Sequence, residues 1–274
     1  MLATVLCLLL VVLPGAPVFP PGQPPILTES TSGRPLSSLA SRLQSEGSAV
    51  TREHTGQPVT IFGLPATEAR MLLLPVDRQR ALPDRYRPPD LTWVGGRLVR
   101  GIARPDVLAM IDAAASEGVE IVPISAYRGP DEQALAYDSA VWGAVARAGG
   151  EVDRAEIESR MARFVAPPGH SQHQLGTAID FSTWEINYAV QPRFAETAAS
   201  RWLELNAWQY GFVLSYSRQG EERSGYAYEP WHYRWIGREL AGILHRDGYL
   251  EHPTLIVDDY LRAAEELLAF EGIP

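Results

Sequence analysis

Apolar residues recur three and four positions apart through ARPDVLAMIDAAASEG (residues 103–118), with Pro105 at the start and Gly118 just past the last of them. That spacing predicts a helix, because a turn of 3.6 residues brings such positions onto one face and proline is tolerated in the first turn. VEIVPISAYR (119–128) has the β-branched run of a strand, and segments 131–150 and 151–165 return to helical spacing. Further on, RFAETAASRWLELNAWQYG (193–211) reads as helix closed by Gly211, FVLSYS (212–217) as a strand, and YEPWHYRWIG (228–237) as extended chain around Pro230. VDDYLRAAEELLAF (257–270) is a capped amphipathic helix, packed on the domain or linking to a partner. Nearer the front, the apolar run MLLLPV (71–76) predicts a short strand followed by proline-punctuated loop. Helices and strands mix without the regular alternation of a parallel sheet, so the expected fold class is α+β.

The pattern also divides the chain. Residues 1–18 hold an uncharged apolar run broken by Pro14 and Gly15, of signal-peptide length and short for a membrane span. No Lys or Arg precedes it and no clean small-residue cleavage site follows, so a signal peptide and an uncleaved anchor both stand. Residues 19–57 are rich in Pro, Ser, Gly and Thr and read as a tether, which leaves 58–274 as the folded domain. No internal repeat is visible.

Composition narrows the function. With 274 residues, 46% of them hydrophobic, the chain is long enough for one sizeable core. A net charge of −9 with scattered basic residues gives no footprint for nucleic acid or an anionic membrane surface, so membrane contact is expected only through the leader if it is retained. The single cysteine, Cys7, lies inside the leader, which excludes a disulfide and a thiolate metal site from the domain.

Two of the six histidines fall in HSQHQLGTAIDFS (170–182). His173 precedes Asp180 by seven residues, His232 follows 52 residues later, and Glu229 stands three before it. Two imidazoles and a carboxylate with a fourth position open form the ligand set of a catalytic zinc, in which bound water acidifies to a pKa of about 7. No helical HExxH is present, so such ligands must converge from separate extended segments. Pro230 keeps Glu229 extended, and a bend must then turn both Glu229 and His232 toward one point. Spacing alone leaves a competing reading, in which these are ordinary buried histidines.

The wording around them is more specific. SQHQLGTAID contains Ser171-x-His173-x-x-Gly176-x-Ala178-x-Asp180, EPWHYRWIG supplies Glu229 and His232, and SAYRGPDEQ upstream supplies Ser125, Tyr127, Arg128 and Gln133. Together these resemble the zinc D-alanyl-D-alanine carboxypeptidases of the VanY type, within the larger group that includes VanX-like dipeptidases, L-alanyl-D-glutamate endopeptidases, lysostaphin and hedgehog. The resemblance spans roughly residues 70–250 and departs from the family at Gly129, where serine is usual. It implies a small antiparallel sheet carrying the zinc site and flanked by helices.

Residue by residue, the resemblance implies His173, Asp180 and His232 as zinc ligands and Glu229 as the base that activates the zinc-bound water. It implies Arg128 at the substrate or the developing oxyanion, with a surface salt bridge as the alternative. Ser125, Gln133 and Ser171 fall on the substrate side, though each could instead be a turn or cap residue. Gly176 and Ala178 would permit close packing, and His170, which the motif does not use, would lie outside the ligand set.

The implied activity is removal of the terminal D-alanine from peptidoglycan stem peptides, outside the membrane or at the cell wall, which suits the leader and tether. Two alternatives keep the fold. One moves the cut, giving an L-Ala-D-Glu endopeptidase or an L,D-carboxypeptidase, and the other is a non-catalytic wall-binding module. A role in wall maturation and one in glycopeptide resistance are equally compatible with these residues.

Overall fold

The computed structural model describes residues 36–45, 50–53, 58–83, 85–149, 152–252 and 255–273. The leader expected at 1–18 lies outside these residues, as does most of the 19–57 stretch. The chain opens with α1 (Leu36–Ser45), then the short strands β1 (Val50–Arg52), β2 (Pro58–Ile61) and β3 (Leu64–Pro65), which pair in that order, and α2 (Ala66–Leu72). A hairpin of β4 (Leu91–Val94) and β5 (Arg97–Arg100) leads into α3 (Arg104–Ser116) and β6 (Val122–Ser125). The helical pair α4 (Pro130–Ala148) and α5 (Arg154–Met161) precedes β7 (Ala178–Ser182), α6 (Ala198–Asn206) and β8 (Phe212–Leu214). One turn, α7 (Glu221–Ser224), comes before β9 (His232–Trp235), and α8 (Arg238–Arg246) and α9 (Val257–Phe270) close the chain.

The central sheet has the order β6-β7-β9-β8, with every neighbouring pair antiparallel. Side chains alternate across a strand, so its two faces have different jobs. Ile179, Phe181, Tyr233, Trp235, Phe212 and Leu214 belong to the main core, where Phe181 meets Phe212 and Tyr233 edge to face. Asp180, His232 and Arg234 lie in the opposite parity. Arg234 is completely buried and donates from Nη2 to the carbonyls of Leu72 and Leu74 at 3.0 and 2.8 Å, which fixes β9 against the end of α2.

The helices expected at 103–118 and 257–270 are present as α3 and α9, and the two expected between 131 and 165 as α4 and α5. The expected strand at 71–76 is corrected. Its first two residues end helix α2, because Ala69, Leu72 and Leu73 turn one helical face into the core while Thr67 and Arg70 stay exposed. A short apolar run without a long period fits strand and helix equally, and the face it must bury decided the outcome.

The tether boundary also shifts, since helix α1 and strand β1 lie inside 19–57. Leu39 and Leu43 are four residues apart, point into the main core and pack α1 along α9, and Arg42 pairs with Asp247. The Ser-rich wording around those leucines masked the apolar face of a ten-residue helix. Leu43 is 0% exposed. Leu43→Ala is expected to cost about 2–5 kcal/mol of unfolding free energy by urea titration, as for a buried leucine, whereas a tether residue would cost nothing measurable.

Candidate active site

Local structure places each donor. Ser171 caps a single tight turn, Gln172–Leu175, its Oγ accepting from His173 N at 3.3 Å. Gly176 ends that turn with φ +72°, and its carbonyl accepts from Arg100 N at 2.8 Å, tying the turn to β5. A side chain at Gly176 would be strained by the backbone and would start 3.0 Å from Leu91 Cδ2, so glycine lets the β4–β5 hairpin close on the turn. His173 Nδ1 lies 2.7 Å from the Ala126 carbonyl oxygen. A carbonyl only accepts, so Nδ1 carries the proton and Nε2 presents a lone pair, 3.2 Å from Asp180 Oδ2.

Asp180 and His232 are direct cross-strand partners on β7 and β9, and Ser125 is the partner of Asp180 on β6. His232 Nδ1 is 3.0 Å from Asp180 Oδ1, while its Nε2 faces Gln172 Oε1 at 3.1 Å. The expected bend before β9 is a tight turn in which His232 N donates to Glu229 O at 3.0 Å, and it sets Glu229 Oε2 3.7 Å from His232 Nδ1. Tyr216 packs on the His232 ring with centroids 4.9 Å apart, and the two imidazoles meet edge to face at 4.9 Å.

The electrostatics follow from burial. Loss of solvent lowers His232 to about 4, so its ring is neutral at pH 7, with Asp180 opposing that shift. Burial would raise Asp180, but the two imidazoles outweigh it and hold the carboxylate well below its usual range. Glu229 is pushed upward by burial and by the Asp180 charge, with Arg128 acting the other way.

The donor set fits a divalent ion. The donor atoms of His173, Asp180 and His232 all lie within 4.8 Å of one another, and all three residues are buried. His173 Nε2 and His232 Nδ1 both turn toward the Asp180 carboxylate. Two imidazole nitrogens and one carboxylate in that arrangement are the N,N,O donor set of a zinc site.

The remaining expected residues sit around it. Arg128 follows β6 and its N donates to the His173 carbonyl at 3.2 Å, while its buried Nε has no protein hydrogen-bond partner. Gln133, 1% exposed in the first turns of α4, donates to the Ala166 carbonyl and leaves its Oε1 unpartnered. His170 is bonded through Nδ1 to the Asp77 carbonyl and stands outside the donor group. Sequence reasoning missed Gln172 and Tyr216, which contact the His232 ring. Gln172 lies inside the motif, but nothing in its spacing distinguishes it from Gln174, which bonds to the Tyr86 carbonyl.

The family model described as VanY, D-alanyl-D-alanine carboxypeptidase, matches residues 96–238, which carry every one of these groups. The chain belongs to the VanY family. A D-alanyl-D-alanine carboxypeptidase of Enterococcus faecalis is 30% identical over 194 residues, 71% of this chain and 67% of the relative. A VanY D,D-pentapeptidase from a VanB-type resistance cassette, solved with Zn(II), is 30% identical with a TM-score of 0.59 over 70% of this chain and 99% of that one. The LD-carboxypeptidase LdcB is 27% identical with a TM-score of 0.59, over 78% of this chain and 93% of that one. The mixed helices and small antiparallel sheets are thus those of the VanY family, and zinc is the metal that its donor chemistry and its solved relative share.

Asp180→Asn keeps the shape of the one anionic donor and removes its charge. Zinc affinity, measured by chelator competition, is expected to fall by about 100-fold or more while the far-ultraviolet circular dichroism stays unchanged.

Proposed function

We propose that this chain is a zinc-dependent D,D-carboxypeptidase that hydrolyses the terminal D-Ala-D-Ala bond of peptidoglycan stem peptides. The observation that carries the reading is the convergence of His173, Asp180 and His232 with Glu229 Oε2 only 3.7 Å from His232 Nδ1. In this reading His173 Nε2, Asp180 and His232 Nδ1 hold the ion. Zinc bound there supplies Lewis acidity, lowering the pKa of water to about 7 and polarising the scissile carbonyl.

Glu229 then takes the proton from water as it attacks the carbonyl carbon and returns it to the amine of the departing D-alanine. Its burial and the adjacent Asp180 raise its proton affinity, which suits a group that takes a proton and later gives it up. Arg128 places its guanidinium where negative charge grows on the carbonyl oxygen, and its unpartnered buried Nε is a free donor for that charge. Ser125, Gln133 and Ser171 line the substrate side in this reading, although Ser171 also caps the ligand turn and Gln133 also holds the Ala166 carbonyl. Stem peptides lie outside the membrane, so the apolar residues 1–18 act as an export leader or anchor. Among the described residues no helix is long and apolar enough to cross a membrane.

Mass spectrometry of a stem pentapeptide and tetrapeptide after incubation with the zinc-loaded chain tests the assignment. Loss of one alanine from the pentapeptide supports it, and cleavage of the tetrapeptide alone would replace it with L,D-carboxypeptidase activity. Glu229→Ala is expected to bind zinc as the parent does and to lose about 10²–10⁴-fold in kcat. Arg128→Ala is expected to lose about 10²–10³-fold, mostly in kcat with little change in KM, because the charge it meets exists chiefly in the transition state.

A further inference from the structure

Resting on the reading of His173, Asp180 and His232 as the zinc set, we propose that Gln172 is a positioning residue that selects the metal-binding tautomer of His232. Two contacts converge on its amide oxygen. His232 Nε2 lies 3.1 Å from Gln172 Oε1, Ser215 Oγ donates to the same oxygen at 2.8 Å, and Gln172 itself is 1% exposed. An amide oxygen has two lone pairs and no proton, so it accepts from both neighbours, and the His232 proton is held on Nε2. Nδ1 is thereby left bare toward Asp180 Oδ1, 3.0 Å away.

The selection matters because Asp180 alone favours the wrong tautomer. A carboxylate at 3.0 Å is a stronger acceptor than an amide and would draw the proton to Nδ1, where it would occupy the position the ion needs. Turning the Gln172 amide over would have the same effect, since Nε2–H of the glutamine needs a lone pair on the ring nitrogen it faces. Ser215 Oγ donates to Oε1 in the orientation observed, and Ser215 N is itself fixed by the His232 carbonyl at 3.2 Å. His173 solves the same problem with the Ala126 main-chain carbonyl, which cannot flip. The two ligands therefore present opposite ring nitrogens, each chosen by the acceptor behind it.

The test compares the full chain with Gln172→Leu, which removes the acceptor, and Gln172→Glu, which keeps it. Nitrogen NMR of the histidine-labelled, metal-free protein, with the His232 signals assigned by their loss in His232→Gln, reads the tautomer without substrate or activity. Zinc affinity by chelator competition reads its consequence. The parent is expected to show a bare Nδ1, Gln172→Leu a proton moved to Nδ1 with affinity down about 10- to 100-fold, and Gln172→Glu a bare Nδ1 with affinity restored. A parent ring protonated on Nδ1, or a folded Gln172→Leu with unchanged tautomer and affinity, overturns the proposal. If Gln172→Leu does not fold, the parent tautomer and the Gln172→Glu affinity still decide it. Neither readout depends on which peptide bond is cut, so failure of the carboxypeptidase assignment leaves a separate signature.

Discussion

The whole site depends on the register of one strand pair. β7 and β9 meet so that Asp180 stands directly opposite His232, with Ser125 opposite Asp180 on the next strand. A slip of one residue would send His232 to the core face and bring Tyr233 or Trp231 to the carboxylate. The apolar face guards against that slip, because Ile179, Phe181, Tyr233 and Trp235 must all stay on the buried side together. Arg234 adds a second lock, since its two bonds to the end of α2 hold only with its side chain on the site-facing parity. Hydrophobic burial thus sets the distance between two polar atoms that the core never touches.

The sequence disclosed the chemistry more completely than the architecture. The grouping of His173, Asp180, His232 and Glu229 was legible because their motifs combine residue types with few other uses, and Pro230 forecast the turn between Glu229 and His232. Among the described residues, helices with a long uninterrupted period, α3 and α9, were equally plain. Short elements were not. The β4–β5 hairpin and α8 escaped notice, and α2 was taken for a strand, because four to nine residues hold too few turns to fix a period. α1 was hidden for a different reason, as its leucines interrupt a stretch whose average composition is that of a tether. Gln172 could not be found from sequence at all, since what singles it out is a contact with a residue 60 positions away.

The electrostatic layout sets two neighbouring carboxylates apart, which suits the proposed division between a ligand and a base. Asp180 is flanked by two imidazoles that stabilise its charge, whereas Glu229 faces that same charge and lies in a buried setting that favours its proton. Arg128 faces Glu229 from the end of β6 and moderates the difference. Environment divides the labour between two chemically similar groups.

The loop that carries the first histidine and the strand end that carries the arginine are joined twice, once by His173 Nδ1 donating to the Ala126 carbonyl and once by Arg128 N donating to the His173 carbonyl. Such a reciprocal clasp couples the two segments, so that neither shifts without the other. A displacement of the His173 turn is thereby passed to the main chain at Arg128, and the reverse.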